Sequence, residues 1–531
     1  MAQSDTRYVT ASVANPAKGW SVERLTPPSR LFGANGLRTG LDGRIYVAQV
    51  SGSQISAVDP NTGLVEAISA KGGDIVAPDD LVFDDAGNMF TTEITENRVS
   101  MRRPNGQTMI VQGDMPCANP ITMYRGRLFA GECRVGGRIM ELDLNGGAPR
   151  IILENVPMPN AMEVGPDGKL YIPIMGTNEI WRVDLAGGAP EVVATGLGVP
   201  DSVKFAADGS IVSTQVASGQ VLRVDPRSGV QTMLAQLTPG LDNCTFVGDR
   251  LFVSNIAGSI DEILGGGKTR ALVQGGFNWP LGLAVGGDGA VIVADGPFTY
   301  RLRPGEARET LGFLFTPGSP GYCRGIAASG ADEFVVTTSN GQVSRWNPVK
   351  QEHEVLAQGY YRLYGVAVAP SGAVVFAEAG GGRVLSVKNG TVEELGTGLQ
   401  EPTGVAVTSD GTVLVSEEGA GRVAKLSGGR AETLLDGLRK PQGILVRGET
   451  LYVLDTGAKE LIANDMASKT RSTIASGLPV GAPAGVTPKF LGPIGDMSGP
   501  MGPFAGLAAG ADGTLYVSAD AEGSVLAVRP A

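Results

Sequence analysis

Amide and carboxylate side chains recur at regular spacing in the first half of this sequence. They are Asn35, Asp79, Asn160, Asp201 and Asp242, of which the last three lie 41 residues apart. Oxygen ligands of these types suit hard cations such as Ca²⁺, Mg²⁺ or Mn²⁺. Carboxylates brought together repel one another unless they share protons or hold a cation. The alternative is turn chemistry, in which each Asp binds neighbouring backbone amides.

The elements that carry these residues are copies of one motif of about 40 residues. Three examples begin at Pro78 (PDDLVFDDAGNMF), Pro200 (PDSVKFAADGSIV) and Pro402 (PTGVAVTSDGTVL). Short apolar runs separated by Asp-Gly, Asn-Gly or Gly-Gly turns predict antiparallel hairpins. Four strands per repeat at this period are typical of β-propeller blades. We therefore predict an all-β fold of tandem propellers with about twelve four-stranded blades.

Twelve blades favour two six-bladed propellers, with domains at 1–277 and 278–531. The last repeat has only three strands of its own, and residues 20–25 offer a strand that could close that blade. In that case both chain ends belong to one propeller. A Pro/Gly-rich insertion at 480–502 interrupts the last spacing, and we expect either a lid or a surface excursion there.

Two sets of positions face one end of each predicted propeller. The start of the first strand carries Asn35, Asp79, Ile121, Asn160, Asp201 and Asp242 in the first half, and Leu281, Arg324, Tyr364, Thr403, Gln442 and Ala505 in the second. The end of the second strand carries Gln49, Glu93, Glu132, Ile174, Gln215 and Asn255 in the first half. Acidic residues also occupy this second position in the other half, which favours a partly structural role there. The axial carboxylates are confined to the first half.

Composition excludes several classes of function. The chain has 43 Lys and Arg against 54 Asp and Glu, a net charge of −11 over 531 residues, which argues against nucleic-acid binding. No apolar run approaches the ~20 residues of a membrane helix. A single histidine, His353, excludes a multi-histidine metal site. Four cysteines without a CxxC pair and no signal-like N-terminus lead us to expect a cytoplasmic protein.

The motifs Pro159-Asn160-Ala161-Met162 and Pro200-Asp201-Ser202-Val203, each followed by an Asp-Gly turn, resemble the senescence-marker-protein/gluconolactonase family. The resemblance to NHL-repeat and streptogramin-lyase propellers is looser. The family resemblance implies a divalent cation held by Asn160 and Asp201, with Asp201 also in acid–base chemistry on a lactone. The family's first Glu has no counterpart in residues 32–36, which leaves Asp79 or Asp242 for its place. Its sugar-contacting residues correspond loosely to Arg134, Asn255 and Glu93.

These observations lead to a first hypothesis, a metal-dependent hydrolase acting on a lactone or related cyclic ester. Its metal ligands are Asp79, Asn160, Asp201 and Asp242, its general base is Asp201 or Glu93, and its substrate-binding residues are Asn35, Glu132, Arg134, Gln215 and Asn255. A lyase or isomerase that removes a proton next to a carbonyl uses the same oxygens. A non-catalytic propeller that binds a ligand or a protein is the third possibility. The oligomeric state is left open.

Overall fold

The computed structural model describes residues 7–8, 13–495, 497, 499–500 and 502–531. Their regular structure is entirely β, in twelve antiparallel sheets that each correspond to one sequence repeat. This confirms the predicted fold of four-stranded blades. Within the described residues no helix has the length and apolarity needed to cross a bilayer.

Two short strands precede the first blade. They are β1 (Asn15–Pro16) and β2 (Trp20–Arg24). Blades one to three are β3 (Leu37–Thr39), β4 (Ile45–Gln49), β5 (Gln54–Val58) and β6 (Val65–Ser69); β7 (Pro78–Phe83), β8 (Met89–Glu93), β9 (Arg98–Arg102) and β10 (Thr108–Gln112); and β11 (Ala118–Tyr124), β12 (Arg127–Glu132), β13 (Gly137–Leu142) and β14 (Arg150–Val156).

Blades four to six complete the first half. They are β15 (Glu163–Val164), β16 (Leu170–Ile174), β17 (Glu179–Val183) and β18 (Glu191–Ala194); β19 (Pro200–Phe205), β20 (Ile211–Gln215), β21 (Gln220–Val224) and β22 (Gln231–Gln236); and β23 (Leu241–Val247), β24 (Arg250–Asn255), β25 (Ile260–Gly265) and β26 (Lys268–Val273).

Blades seven to nine follow the same pattern. They are β27 (Pro280–Val285), β28 (Val291–Asp295), β29 (Phe298–Leu302) and β30 (Glu309–Phe313); β31 (Cys323–Ala328), β32 (Phe334–Thr338), β33 (Gln342–Asn347) and β34 (Glu352–Gln358); and β35 (Leu363–Val368), β36 (Val374–Glu378), β37 (Arg383–Lys388) and β38 (Thr391–Gly396).

Blades ten to twelve end the chain. They are β39 (Pro402–Val407), β40 (Val413–Glu417), β41 (Arg422–Ser427) and β42 (Arg430–Leu435); β43 (Pro441–Arg447), β44 (Thr450–Asp455), β45 (Glu460–Asp465) and β46 (Arg471–Ser476); and β47 (Leu507–Ala509), β48 (Leu515–Ala519) and β49 (Ser524–Pro530). β2 pairs with β49 as the fourth strand of blade twelve, and β1 adds a fifth strand beside β46.

The chain forms two compact units. Unit one contains residues 30–276 and 487–495, and unit two contains the described residues up to 29, residues 277–486 and those from 497 onward. The break at 276/277 falls beside the predicted one at 277/278. Residues before 30 join unit two because β2 completes its last blade, and part of the 480–502 insertion packs within unit one.

Each unit holds six blades whose innermost strands contact one another in a closed ring. In unit one, Gly36 N donates to the Asp79 carbonyl oxygen at 2.7 Å, and Ser254 Oγ closes the ring by donating to the Asn35 carbonyl oxygen at 2.7 Å. In unit two, Gly506 N donates to the Leu281 carbonyl oxygen at 3.1 Å. The apolar cores lie between neighbouring sheets, because each blade buries both faces against the next.

Candidate functional site

A shared irregularity of the first strand positions the axial side chains of unit one. In blade two, Pro78 pairs with Glu93 and Leu81 with Thr91, and the register shifts between them. Asp79 and Asp80 therefore lie in a bulge at the strand's start, where a bulge commonly redirects a side chain. The same shift occurs between Ala118 and Ile121 in blade three.

This register corrects one position of the predicted set. Ala118 of blade three is equivalent to Pro78 of blade two, so Asn119 and not Ile121 is the counterpart of Asp79. The sequence pattern missed Asn119 because a proline, Pro120, follows it, whereas other residue types stand at that position in the other repeats of unit one. The polar ring of unit one therefore consists of Asn35, Asp79, Asn119, Asn160, Asp201 and Asp242, each between 4% and 8% exposed.

The three carboxylates of the polar ring interact strongly. Burial, together with the charge of Asp80, raises the pKa of Asp79 to about 8. Burial and the charges of Asp79 and Asp80 raise the pKa of Asp201 well above its ordinary value. Burial and the charges of Asp201 and Asp79 do the same for the pKa of Asp242. Side chains more than 100 residues apart in sequence thus form one electrostatic cluster.

Two amides of the polar ring bind these carboxylates. Asn160 Nδ2 donates to Asp201 Oδ2 at 2.9 Å, and Asn35 Nδ2 donates to Asp242 Oδ2 at 3.1 Å. Asp201 Oδ1 is buried and accepts no hydrogen bond from the described residues. An unsatisfied buried oxygen in a native structure calls for a ligand, a proton or water. Asn160 therefore fixes one oxygen of Asp201, and the other oxygen is available to a ligand.

The donor set of the polar ring matches a hard divalent cation in chemistry. Carboxylate and amide oxygens are the ligands such cations prefer, and an added positive charge relieves the repulsion that raises the pKa values. The bare side chains do not form a finished cage, since no group of three or more His, Cys, Asp or Glu in the described part of the chain is arranged as a metal site. The predicted ligands Asp79, Asn160, Asp201 and Asp242 are brought together. Their role as ligands stays a prediction.

A layer of opposite charges lies next to the polar ring. Arg38 Nη1 contacts Glu163 Oε2 at 3.0 Å, and Lys204 Nζ contacts the same oxygen at 2.6 Å. The Arg38 guanidinium is also 4.0 Å from Asp80, which accepts a hydrogen bond from Asn243 Nδ2 at 3.3 Å. Although burial opposes it, Lys204 and Arg38 lower the pKa of Glu163.

This charge layer (Arg38, Asp80, Glu163 and Lys204) was not found from the sequence. Its signal is a lone charged residue inside a first strand whose neighbours are apolar, as for Lys204 in Pro200–Phe205. Such a residue also fits a solvent-facing position of an alternating strand. The layer supplies two cations close to the acidic polar ring.

Sulfur-containing side chains also line the polar ring. Asn160 Nδ2 donates to Met175 Sδ at 3.1 Å, and Cys133 Sγ lies 4.0 Å from the same sulfur. Burial and the charges of Asp79 and Asp201 raise the pKa of the Cys133 thiol. All four cysteines are buried. The Cys133 thiol therefore contributes neutral surface beside the carboxylates.

Part of the 480–502 insertion packs beside this region within unit one. Leu491 and Ile494 are buried, and a Cβ added at Gly495 would lie 2.9 Å from Cys117 Sγ. Cys117 in turn accepts a backbone hydrogen bond from Cys133 at 2.9 Å. The segment 487–495 thus lies on the side of blade three that bears the polar ring, and its role as a lid stays a prediction.

The residues predicted at the end of the second strand of each blade anchor loops. Glu93 is fully buried, accepts Val76 N at 2.7 Å and pairs with Arg98 at 2.6 Å. Glu132 is fully buried between Arg134, at 2.9 Å, and Arg138. These contacts occupy both carboxylates and favour a structural role over contact with substrate.

The uncharged members of the second set behave alike. Gln49 Oε1 accepts Phe32 N at 2.9 Å, and Gln215 Oε1 accepts Gly198 N at 2.9 Å. Asn255 Nδ2 donates to the Pro239 carbonyl oxygen at 3.2 Å. The acidic counterparts in unit two bind loop amides in the same way: Asp295 accepts Asn278 N, Glu378 accepts Tyr361 N, Glu417 accepts Gln400 N and Asp455 accepts Lys440 N. The substrate-binding roles predicted for Glu132, Gln215 and Asn255 remain predictions.

Six four-stranded blades around a buried ring of carboxylates and amides define unit one as a six-bladed β-propeller with an acidic axial site. Residues 13–256 of the chain match the family model described as the SMP-30/Gluconolactonase/LRE-like region. At the level of that family, the match supports a lactonase-type function on a small molecule.

Similar solved structures include two that carry the gluconolactonase name. A gluconolactonase from Xanthomonas campestris is 16% identical, with a TM-score of 0.39, and the alignment covers 46% of this chain and 95% of that one. A structural-genomics target also described as a gluconolactonase is 16% identical, with a TM-score of 0.39 and coverage of 49% and 94%. No curated protein sequence matches this chain significantly.

Proposed function

We propose that unit one is a metal-dependent hydrolase that opens a lactone or a related cyclic ester at the polar ring. The observation that carries the proposal is the buried cluster of Asp79, Asp201 and Asp242, in which each carboxylate is destabilised by its neighbours. A purely structural turn Asp has its oxygens bound by loop amides. These three instead lie together at the ring, and one oxygen of Asp201 accepts no hydrogen bond from the described residues.

Asp201 is suited to move the proton. Asn160 Nδ2 fixes its Oδ2, which leaves Oδ1 to accept a proton from the attacking water. The same carboxyl group then gives that proton to the ring oxygen that leaves as an alcohol. Burial and the charges of Asp79 and Asp80 raise the pKa of Asp201 above its ordinary value, which makes the carboxylate a stronger base.

The divalent cation, Ca²⁺, Mg²⁺ or Mn²⁺, would be held by Asp79, Asn160, Asp201 and Asp242. When bound, such an ion polarises the ester carbonyl and favours ionisation of water. The acidic polar ring binds the ion through its charge, and its burial excludes bulk water from the reacting groups. Glu93 stays engaged with Arg98, so Asp201 is the better base of the two predicted.

Substrate orientation falls to the partly exposed Arg134 and to amide side chains at or near the polar ring. The Arg134 side chain is 39% exposed beside Glu132 and can bind a hydroxyl or carbonyl oxygen of the substrate. Asn35 at the polar ring donates to Asp242 and keeps a second amide hydrogen for substrate. Gln215 and Asn255 act through the loops they anchor.

The test is hydrolysis of a lactone panel, including glucono-δ-lactone, followed with a pH indicator in the presence and absence of EDTA. We expect cation-dependent acid release by the full chain and loss of it in Asp201→Asn and Asn160→Ala. Gln442→Ala, at the equivalent ring position of unit two, is the matched control and should retain turnover.

Full activity of Asp201→Asn on an identified lactone would refute the proposal. Exchange of a carbon-bound proton without ring opening would instead favour the lyase or isomerase alternative. Absence of turnover together with absence of cation binding would favour a non-catalytic propeller.

A further inference from the structure

The innermost ring of unit two has a different character from that of unit one. The register of its first strands places Leu281, Arg324, Tyr364, Thr403, Gln442 and Ala505 at the positions equivalent to the polar ring. Carboxylates are absent from these six positions. Each is followed by a glycine, such as Gly282 after Leu281. The only ionic group of this ring is the guanidinium of Arg324.

Arg324 is fully buried without an acidic partner among the described residues. It is 1% exposed, and its Nη2 donates to the Gly499 carbonyl oxygen at 3.3 Å. Its Nε is buried and donates to no acceptor in the described part of the chain. A guanidinium has five N–H donors, and within the described part of the chain the Nε donor of Arg324 is not used. Burial lowers its pKa to about 10, and the groups that act on it are Tyr364, Tyr322 and Cys323, which are neutral at pH 7.

Glu418 contacts this ring through Gln442 and is already engaged. It accepts a hydrogen bond from Gln442 Nε2 at 3.0 Å and pairs with Lys440 at 3.4 Å. Buried charges in proteins are normally paired, because an unpaired one loses its hydration without compensation.

The described residues Gly499 and Phe504 contact side chains of the ring. Besides the Gly499 contact, the ring of Phe504 lies 5.8 Å from that of Tyr364, and Ala505 N donates to Gln442 Oε1 at 2.8 Å. A cavity of about 40 Å³ on the axis of unit two is lined by Phe504 and by glycines such as Gly325, and the Arg324 side chain does not line it. Among the described residues, the Arg324 guanidinium is therefore enclosed with one backbone carbonyl, that of Gly499, as its hydrogen-bond acceptor.

We propose that the ring of unit two is an anion site in which Arg324 binds a small, singly charged carboxylate in place of the Gly499 carbonyl. The planar guanidinium matches a carboxylate with two parallel hydrogen bonds, which would use Nε and one Nη. One cation balances one negative charge, whereas a phosphate dianion would call for a second cation at the ring. The burial of Arg324, which is 1% exposed, keeps the ligand small. This site is independent of the hydrolase proposed for unit one.

The test is the thermal stability of the full chain titrated with sodium acetate, with sodium chloride at equal ionic strength as the reference. A ligand that binds only the folded state raises the melting temperature in proportion to the logarithm of its concentration. We expect acetate, but not chloride, to raise the transition of unit two. Arg324→Gln should abolish this shift, and Arg324→Lys should weaken acetate binding at least tenfold because it lacks the planar fork.

Two controls keep the outcome specific. Arg345→Gln removes an exposed arginine of blade eight, which pairs with Glu354 at 2.8 Å, and should retain the acetate shift. The urea midpoint of Arg324→Gln without acetate should equal or exceed that of the wild type, because an uncompensated buried charge is removed. A purely structural Arg324 would lower that midpoint.

An acetate shift that persists unchanged in Arg324→Gln would overturn the proposal, as would no shift beyond that of chloride. A larger, Arg324-dependent shift with inorganic phosphate would overturn the assignment to a carboxylate.

Discussion

Replacing Asp201 with Asn in the cation-free protein should change how stability depends on pH. In the native state Asp201 is buried beside Asp79 and Asp242, and its pKa lies well above the ordinary value of 3.8. Between pH 4 and that raised pKa, the native state holds a proton that the unfolded chain has lost. The free energy of unfolding therefore falls as pH rises through this window.

The magnitude follows from the number of protons retained. Each carboxyl group that keeps its proton contributes a slope of about 1.4 kcal/mol per pH unit. Asn cannot titrate, so within the window above pH 4 the Asp201→Asn slope should be shallower by up to one proton, or about 1.4 kcal/mol per pH unit. Removing one of three repelling carboxylates should also raise stability at pH 7 by about 1–3 kcal/mol.

The assay is urea unfolding in EDTA at pH 5, 6 and 7, read by hydrogen exchange of peptides from β7, β19 and β23, so that the stability of unit one is measured. Asp225→Asn, in an exposed turn of the same unit, is the matched control. Its pKa is lowered by the backbone amide of Arg227, so it is ionised in both states across this range and should not alter the slope. An unchanged slope in Asp201→Asn would refute the coupling of the three carboxylates.

Three further substitutions test other parts of the structure. Glu93→Gln should lower the stability of unit one by about 2–3 kcal/mol in urea unfolding, because it leaves Arg98 without its buried partner. Lactone turnover per folded molecule should stay unchanged. A loss of turnover without loss of stability would instead make Glu93 catalytic. Gly443→Ala should destabilise unit two by about 2 kcal/mol or more, since its Cβ would lie 2.6 Å from the Ala505 carbonyl oxygen. Wild-type stability of this variant would contradict the close contact between these innermost strands. Lys204→Met should lower the stability of unit one by about 2 kcal/mol, because Glu163 loses one of its two cationic partners. Wild-type stability of this variant in calorimetry would contradict that pairing.

The fold was predictable because its signal is local and repeated. Glycine-bearing turns such as Asp208-Gly209, with a glycine φ of +79°, mark many of the hairpins, and four hairpin-linked runs recur along the chain. The strand Trp20–Arg24 could also be noticed, because the last repeat is one strand short. Because the repeats resemble one another, the strands found in one repeat help to locate the strands of the others.

The site was only partly predictable because its details depend on register and long-range contact. A bulge places Asn119 at the ring, and no turn motif marks it. Arg38 and Lys204 meet Glu163 across blades that are distant in sequence. Glu93 has the residue type of a catalytic base, but its partners Val76 and Arg98 give it a loop-anchoring position. Residue type alone does not distinguish these cases.

Direct measurement of cation binding tests the central claim most sharply. Isothermal titration calorimetry of the EDTA-treated full chain with Ca²⁺, Mg²⁺ and Mn²⁺ should reveal one site for at least one of these ions, lost in Asp201→Asn and kept in Gln442→Ala. Absence of binding by all three ions, or binding that survives the Asp201 substitution unchanged, would contradict a cation site at the acidic ring of unit one.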